Sequence, residues 1–498
     1  MSYLGLDIGT SGCKALVFSD QGHELAAAFR EYPLITPEDG WVELDSDEVC
    51  VKCFEVIREV ALKTTADPIQ AMGISSQGEA FTPVDHNGTI LGNGMVSSDT
   101  RAATIVQEFC DEFGAEKLYE ITGHTAYPMF SLFKLIWIKK NNPELWDRTA
   151  KFLCFEDLIH LKLGLDPAIG YPLAGRTMLF NVSTHQWDEQ ILSAVGISSE
   201  QLARPLPSGS VAGIVSDEIA ASLGMPKDVL VVTGGHDQSC GALGAGIVSK
   251  GMAMYATGTV ECITPAFEDP IFGKELFRNN YCTYDFAIPG MYTTVAYSLT
   301  GGNILKWYRD EFAFQEKEIA KQTGRNIYET ILETLPSNPS KLLVLPYFTP
   351  TGTPYFDSSI RGAIIGLRFN TSREDILRAL LEGVAFEMRL NLSLLEDSGI
   401  VIDELRAIGG GGKSKVWTQL KANVLNKPIT TVAVTEAGCF GVAMLAKAAL
   451  TGIPVTQIVS RWIKTSQTIF PEKHLVDWYE KQFNIYKKIY HKLKTLQE

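Results

Sequence analysis

The chain has 498 residues, of which 45% are hydrophobic and 20% charged, and its formal net charge at pH 7 is −14. This composition is typical of a folded protein and excludes a disordered one, and the acidic balance excludes the long-range positive field that favours nucleic acid. The nine cysteines are odd in number and scattered, which favours reduced thiols over a disulfide framework. Asp7 falls where a signal peptide would be apolar. We therefore expect a cytoplasmic protein with no membrane and no nucleic-acid partner.

The N-terminal segment predicts a β-hairpin. An apolar run at residues 3–6 is followed by the turn Asp-Ile-Gly-Thr-Ser and by a second apolar run. Glycine at Gly9 lets backbone N–H groups approach a phosphate closely, and the hydroxyls of Thr10 and Ser11 add donors. The carboxylate of Asp7 is suited to holding Mg²⁺, usually through water. Taken alone, the segment is explained equally well as an ordinary hairpin turn.

Three further turns follow apolar strands. In the first, Asp237 comes after Leu-Val-Val-Thr-Gly-Gly-His, either as the N-cap of a helix or as a general base at the end of a strand. In the second, residues 257–259 repeat the hydroxyl–glycine pattern as Thr-Gly-Thr. In the third, the four glycines at 409–412 cost backbone entropy, which indicates close approach of a ligand or of another segment. A P-loop is excluded because Ala407 stands where that motif needs glycine.

The order of elements predicts two units. Helical and strand-like segments alternate through the first half, as in a mixed α/β domain. In the second half, Ser372 and Asp375 fit a capping box at the start of a long amphipathic helix. The last forty or so residues have a charged, helical pattern. We predict units at 1–246 and 247–498 that pack closely, with a cleft between them.

Two long patterns make the chain recognisable. Residues 129–141 match the first signature of the FGGY family of carbohydrate kinases, and residues 362–367 with 375–382 match the second. The chain resembles this family over nearly its whole length. The resemblance implies an α/β fold of two ribonuclease-H-like (actin-like ATPase) domains, with the sugar and first phosphate turn in the N-terminal domain and ATP binding in the C-terminal one. It also implies ATP-dependent phosphorylation of a hydroxyl of a small sugar or polyol, with Mg²⁺ as cofactor.

The resemblance further implies roles for individual residues. Asp237 would be the catalytic base and contact the substrate, and Asp7 would hold Mg²⁺. The other predicted substrate-binding residues are Gln77, Glu79 and Asp99. The residues predicted to bind ATP are Gly9, Thr10, Ser11, Lys14, Thr257, Gly258, Thr259, Gly301, Gly302, Gly410, Gly411, Lys413 and Asn423.

The segment around residue 78 bears on the substrate. Gln77 and Glu79 match the pattern of glycerol kinases, but Gly78 replaces their arginine, and the methionine–histidine pair of xylulokinases is missing too. The small residue at 78 implies a larger ligand or water in the space. Asp99 and Arg101 match a family D-x-R motif whose aspartate often binds substrate hydroxyls. For Glu79, the alternative is a solvated loop carboxylate.

Several hypotheses follow for the activity. A xylulokinase-like enzyme is the first, and kinases of erythritol, glycerol, ribulose, gluconate or an autoinducer are alternatives. The carboxylates at Glu79 and Asp99 would repel a sugar acid, which counts against gluconate. From other classes, a catalytically weak sugar sensor and an actin- or chaperone-like ATPase remain. The family resemblance also implies a possible homodimer.

Overall fold

The computed structural model describes residues 1–434 and 436–497, and the fold is organised around two large β-sheets. The first half of the chain contains fourteen strands: β1 (Ser2–Ile8), β2 (Gly12–Ser19), β3 (Glu24–Glu31), β4 (Glu43–Leu44), β5 (Ile69–Ser76), β6 (Phe81–Val84), β7 (Gly94–Met95), β8 (Lys151–Cys154), β9 (Ala168–Gly170), β10 (Phe180–Asn181), β11 (Gln186–Trp187), β12 (Arg204–Leu206), β13 (Val211–Ile214) and β14 (Leu230–His236). Its helices are α1 (Ser46–Lys63), α2 (Ala103–Phe113), α3 (Ala115–Thr122), α4 (Ser131–Asn141), α5 (Pro143–Arg148), α6 (Phe155–Lys162), α7 (Tyr171–Gly175), α8 (Glu189–Val195), α9 (Asp217–Leu223) and α10 (Asp237–Gly244), with a 3₁₀ turn at Ser199–Gln201.

The second half follows with the same mixture of elements. Its described strands are β15 (Gly251–Thr257), β16 (Glu261–Phe267), β17 (Tyr284–Asp285), β18 (Tyr292–Thr293), β19 (Ala296–Ser298), β20 (Leu343–Leu345), β21 (Ala363–Ile365), β22 (Ile402–Ile408), β23 (Ile429–Val432) and β24 (Thr465–Ile469). Its described helices are α11 (Lys274–Arg278), α12 (Gly302–Glu311), α13 (Phe314–Thr323), α14 (Ile327–Leu332), α15 (Arg373–Asp397), α16 (Lys415–Leu425), α17 (Ala437–Thr451), α18 (Val455–Trp462), α19 (Lys473–Tyr486) and α20 (Ile489–Gln497), with a 3₁₀ turn at Gly411–Lys413.

The first large sheet begins with the predicted hairpin. Strands β1 and β2 pair antiparallel, and β1 also pairs in parallel with β5, which in turn pairs in parallel with β14. The full order is β13-β14-β5-β1-β2-β3. The central strands β1 and β5 are buried along nearly their whole length, because elements cover both faces of the sheet. The carboxyl ends of β1, β5 and β14 therefore lie at one edge.

The second large sheet repeats this plan. Strands β15 and β16 form an antiparallel hairpin, β15 pairs in parallel with β22, and β22 pairs in parallel with β23. Strand β24 then pairs antiparallel with β23, as β13 does with β14. The chain thus contains two sheets of matching topology, as a duplicated fold requires.

Helix α17 links the two halves. It follows β23 in sequence but lies against β1, β5 and β14 of the first sheet, where glycines permit close approach. A Cβ atom at Gly73 would lie 2.5 Å from the backbone oxygen of Val442, and one at Gly234 would lie 2.7 Å from the Val442 side chain. The chain past residue 246 therefore also covers the first sheet, and the boundary at 246/247 stays a prediction.

Local signals in the second half agree with the structure. Helix α15 begins at Arg373, and Ser372 and Asp375 form the reciprocal hydrogen bonds of the predicted capping box, each 3.0 Å long. The C-terminal region is helical in α19 and α20, with β24 before them. Within residues 1–434 and 436–497, no helix has both the length and the apolar character that a bilayer crossing requires.

Candidate active site

Asp237 stands where the first sheet meets a helix. Strand β14 ends at His236 and helix α10 begins directly with Asp237, so the N-cap residue is His236 and the N-cap interpretation of Asp237 is wrong. The register of β14 shifts between Thr233 and Gly235, and Gly235 has φ +134°, a conformation that favours glycine. This irregularity precedes a side chain that remains 33% exposed. The Asp237 carboxylate is therefore accessible although its surroundings are packed.

The surroundings of Asp237 raise the pKa of its carboxyl group toward neutral pH. Burial, together with the neighbouring carboxylates of Asp7 and Glu79, raises the pKa of Asp237 to about 7. His236 Nε2 lies 3.2 Å from Asp237 Oδ1, and His236 Nδ1 lies 2.9 Å from the Tyr284 hydroxyl. Burial, reinforced by positive charge nearby, lowers the pKa of His236 well below its usual range. A neutral His236 that donates from Nε2 to Asp237 and accepts from Tyr284 fits both distances.

The first turn is held in shape by Gln77. The Thr10 hydroxyl lies 3.1 Å from Gln77 Oε1, and Gln77 Nε2 donates to the backbone oxygen of Gly9 at 3.1 Å. Gly9 N–H bonds across the turn to the oxygen of Gly12 at 3.0 Å. Ser11 at the tip is exposed. The Gly9 N–H and the Thr10 hydroxyl are thus engaged within the protein, which leaves the exposed Ser11 to meet a ligand. The Gln77 amide, predicted to bind substrate, is engaged with the turn as well.

Asp7 and Lys14 lie opposite each other on β1 and β2. Asp7 Oδ1 accepts from Ser75 Oγ at 2.7 Å, and burial raises the pKa of Asp7. Lys14 Nζ is 2.7 Å from Glu436 Oε2, just before α17. Among the described residues, no three His, Cys, Asp or Glu side chains group into a metal cage. A lone hard carboxylate beside a phosphate-type turn suits Mg²⁺, which usually binds through one or two carboxylates, water and substrate phosphates.

The hairpin of β15 and β16 contacts the glycine pair at the start of α12. The N–H of Gly302 donates to the backbone oxygen of Gly258 at 2.9 Å, at the start of the ten-residue helix α12. The next N–H, of Asn303, donates to the oxygen of Thr259 at 3.2 Å. A Cβ at Gly301 would lie 2.6 Å from the backbone of Val260. The structure therefore brings the predicted Thr-Gly-Thr turn and the Gly-Gly turn together, and the first N–H groups of α12 serve to hold the two turns in contact.

The run of four glycines is explained partly by close packing. Gly409 has φ +83°, and a Cβ there would lie 2.5 Å from the oxygen of Thr257. The position of Gly411 is also closed by the Thr257 side chain, whereas a Cβ at Gly410 would meet nothing within 4 Å. The close approach of another segment, one of the two predicted explanations, is thus confirmed for Gly409.

A cavity adjoins this glycine run. Its volume is about 590 Å³, and its lining includes Gly409, Gly412, Lys413, Lys415 and Gln467. Of the four residues predicted to bind ATP in this region, Lys413 lines the cavity, whereas Gly410, Gly411 and Asn423 do not.

The side chain of Asn423 is buried and already occupied. It accepts from Glu472 N–H at 2.8 Å and donates to Glu472 Oε2 at 2.8 Å. Since both ends of the amide fix the start of α19, contact with adenosine is not supported for this residue.

Glu79 is buried rather than solvated. Its side chain is 2% exposed, it forms an ion pair with Arg176, and its Oε2 accepts from Ser97 Oγ at 2.6 Å. The alternative of a solvated loop carboxylate is wrong. The space beside Gly78 is also filled: a Cβ there would lie 3.0 Å from the His236 ring and 3.4 Å from Arg176 Nε. Neither a larger ligand nor water is needed to explain the glycine.

Asp99 is committed to an internal ion pair. Its side chain has no exposed surface, Oδ2 lies 2.7 Å from an Arg101 terminal nitrogen, and the N–H of Val42 donates to Oδ2 at 2.8 Å. Arg101 in turn bonds Glu43 at 2.6 Å and lies over the Trp41 ring at 4.0 Å. This geometry supports a structural role for Asp99 and no direct contact with substrate.

Comparison with known proteins decides the family. The N-terminal domain of the FGGY family of carbohydrate kinases matches residues 2–244, and the C-terminal domain of the same family matches residues 253–450. The chain belongs to the FGGY family of carbohydrate kinases. The predicted enzyme class, a phosphotransferase that acts on a hydroxyl of a small sugar or polyol, is thereby confirmed.

Individual FGGY kinases resemble this one over their whole length. A xylulose kinase of Bacillus subtilis is 27% identical, with 99% of this chain and 97% of the relative covered. A gluconokinase of Bacillus licheniformis is also 27% identical, covering 96% and 93%. The crystal structure of a xyloylose kinase from Brucella ovis matches with a TM-score of 0.90 and 28% identity over 100% of both chains. The expected two-domain actin-like fold is confirmed by that agreement.

Two cations of this FGGY kinase were missed by sequence reasoning. Lys421 Nζ lies 2.6 Å from Glu261 Oε1 and 2.5 Å from the Thr257 hydroxyl, so it fixes the second hairpin. Arg176 meets Glu79 across 97 residues of sequence. Both side chains lie in helical or turn segments with no glycine or aspartate motif, and only tertiary contact brings them to the site.

Proposed function

We propose that the chain is an ATP-dependent kinase that transfers the γ-phosphoryl group to a hydroxyl of a small, neutral sugar or polyol, with Asp237 as general base. The observation that carries this proposal is the Asp237 carboxylate itself. It is 33% exposed, its pKa is raised to about 7, and the carboxylates of Asp7 and Glu79 are close enough to contribute to that shift. General bases work best with a pKa near the operating pH.

Asp237 would act on the acceptor hydroxyl. Its carboxylate accepts the hydroxyl proton while the sugar oxygen forms a bond to the γ-phosphorus and the bond from that phosphorus to the β-bridging oxygen breaks. ADP leaves with the electron pair, and Asp237 later releases its proton to solvent. Because phosphoryl transfer requires mainly positioning and charge stabilisation from the protein, a single well-placed base suffices. The His236 contact at 3.2 Å would keep the carboxylate oriented.

The nucleotide would be held largely by backbone groups. The turn at residues 9–11 and the turn at residues 257–259 would face the phosphates, with the exposed hydroxyls of Ser11 and Thr259 as donors. The cavity along the glycine run at residues 409–412 would take the adenosine. Asp7 would hold Mg²⁺, which supplies neutralisation of phosphate charge when bound. Lys14, which lies opposite Asp7, would add a positive charge beside that carboxylate.

A pentulose is the first candidate substrate, because the similar proteins include xylulose kinases. Asp237 and Glu79 suit a ligand rich in hydroxyls, since carboxylates accept several O–H bonds. The Glu79 charge is compensated by Arg176, so repulsion of a sugar acid is weaker than the sequence alone predicts. Gluconate therefore stays among the candidates, with erythritol, glycerol and ribulose.

A substrate panel tests the proposal. ADP release from ATP and Mg²⁺ would be measured with D-xylulose, D-ribulose, erythritol, glycerol and D-gluconate, and turnover should rise strongly with one or a few of them. Product analysis by ³¹P NMR should show a sugar phosphate. If no sugar stimulates turnover, the result would support the hypothesis of a catalytically weak sugar sensor. Sugar-independent turnover that rises only with a protein partner would support the actin-like ATPase instead. Sedimentation of the same preparation would test the predicted homodimer.

A further inference from the structure

Arg176 is the one cation in direct contact with the Glu79 carboxylate in the described part of the chain. It follows α7 directly, and its guanidinium lies over the Phe130 ring at 5.1 Å and the Tyr284 ring at 5.6 Å. Its side chain is 10% exposed, and Gly78 makes room for it. The aromatic rings and the ion pair fix the guanidinium beside Gly78. Position 78 is the one at which the glycerol-kinase pattern has an arginine.

The hydrogen-bonding capacity of Arg176 is not used up by the protein. A guanidinium carries five N–H donors. Among the described residues, its recorded acceptors are Glu79 and, at 4.0 Å from Nη1, the Cys282 sulfur, which is a weak acceptor. Buried donors without acceptors are costly, so a bound oxygen atom would stabilise this arrangement.

An unpaired acceptor belongs to the same cluster. His124 Nδ1 lies 2.7 Å from the backbone oxygen of Thr122, so this nitrogen carries the proton. Burial, with a contribution from Arg176, lowers the pKa of His124 to about 3, so the ring is neutral and Nε2 is an acceptor. Nε2 is fully buried and has no hydrogen-bond partner in the described structure. The His124 ring lies 5.6 Å from Tyr284, the residue that also bonds His236 beside Asp237.

We propose that Arg176 is a substrate-binding residue that sets the specificity of the sugar site. Its guanidinium donates to one oxygen of the substrate while Glu79 accepts from a neighbouring hydroxyl, so the pair selects ligands with two adjacent oxygen atoms. This inference rests on the proposed function, because it concerns the sugar that Asp237 deprotonates. The arginine reaches the site from α7, and Gly78 at the end of β5 is small because Arg176 and His236 occupy that space.

Two substitutions test this role. Arg176→Lys keeps a charge beside Glu79 but loses the planar fork of donors, and Arg176→Ala loses both. We expect kcat/KM for the best sugar of the panel to fall about 10-fold in the lysine variant and about 100-fold in the alanine variant, mainly through a higher KM for the sugar. The KM for ATP should stay within about threefold, because the cavity proposed for the adenosine lies along the second sheet, away from Arg176.

A matched control separates binding from stability. Arg378→Lys and Arg378→Ala disrupt another buried arginine–glutamate pair, that with Glu382 on α15, which takes no part in the site. The substitutions at Arg176 and at Arg378 should all lower the melting temperature. Only those at Arg176 should change the KM for the sugar and the order of preference among the sugars of the panel. Unchanged sugar kinetics in folded Arg176→Ala, or an equal rise in the KM for ATP, would overturn the inference. Wild-type protein that phosphorylates none of the five sugars would instead reject the proposed function.

Discussion

Five strands of each large sheet follow the same order, but the two sheets present different chemistry at the same edge. In the first sheet, Gln77 and Glu79 follow the end of β5 at Ser76, and Asp237 follows the end of β14, so side chains are prominent at this edge. In the second sheet, the matching strand β22 ends in the glycine run at residues 409–412, so the backbone does. Under the proposed function, the comparison teaches that one fold plan serves two ligands, with carboxylates of the first sheet for the hydroxylated substrate and glycine peptide groups of the second sheet for the adenosine.

The electrostatics of the two edges differ in the same way. In the first sheet, Asp7, Glu79 and Asp237 lie close enough to raise the pKa of Asp237, and only Glu79 has a directly paired arginine. In the second sheet, Glu261 is neutralised by Lys421 at 2.6 Å. At the first edge, Asp237 therefore remains able to accept a proton. At the second edge, the ion pair between Glu261 and Lys421 stabilises the hairpin of β15 and β16.

The largest effect is expected from Asp237→Asn. The amide keeps the shape but cannot accept the hydroxyl proton, so kcat should fall about 10³-fold while ATP and sugar still bind. Stopped-flow turnover and calorimetric binding would measure both. Asp217→Asn, at an exposed aspartate that pairs with Lys227, serves as the matched control. Near-normal turnover of the Asp237 variant would assign the base elsewhere.

The glycine run gives the next test of the comparison. Gly410→Ala adds a methyl group that meets nothing within 4 Å, so stability should hold while the KM for ATP rises about 10-fold through lost approach of the nucleotide. Gly409→Ala forces φ +83° on alanine against Thr257, so it should cost about 1–2 kcal/mol of folding stability or more. An effect of Gly410→Ala on sugar KM alone would break the division between the sheets.

The pH profile tests the state of the base. The pKa of Asp237 is raised from an ordinary aspartate value to about 7, and the base must be unprotonated to act. Activity should therefore be full above that pH and fall about 10-fold for each unit below it, as kcat/KM for the sugar measured over pH 5 to 9 would show. A profile flat down to pH 5 would mean that the carboxylate lies in a more polar setting than described.

The smallest effect on catalysis is expected from Asp99→Asn. The change removes one of the two carboxylates that pair with Arg101 and leaves Glu43, so stability should fall by about 2 kcal/mol, yet sugar KM per folded molecule should change less than about twofold. Denaturant titration and steady-state kinetics would separate the two effects. A large rise in sugar KM with intact stability would restore the role in substrate binding that the sequence predicts for this aspartate.

Local patterns carried much of the fold and part of the site. The hairpin at Gly9, the capping box at Ser372 and the strand before Asp237 all follow from short-range periodicity and turn chemistry. The pairing of Arg176 with Glu79 joins segments 97 residues apart, and no local rule reports such a contact.

Spacing along the chain also does not reveal the direction of a side chain. Asn423 lies downstream of the glycine run at a family-like position, but α16 turns it toward Glu472 instead of the cavity. Asp99 likewise fits its motif and faces inward. Motif matching therefore identifies the family and proposes a site, but it does not give the direction of each side chain.

Helix α17 has a consequence for how the polypeptide is made. Its residues Phe440, Val442 and Leu445 share one apolar cluster with Phe18 and Val232 of the first sheet. A nascent chain that has left the ribosome only as far as residue 246 lacks α17, so it exposes an apolar surface of the first sheet that is prone to aggregation. The N-terminal half thus completes its packing only after α17 has been translated, about 190 residues later, and chaperones that bind emerging apolar segments have that interval in which to act.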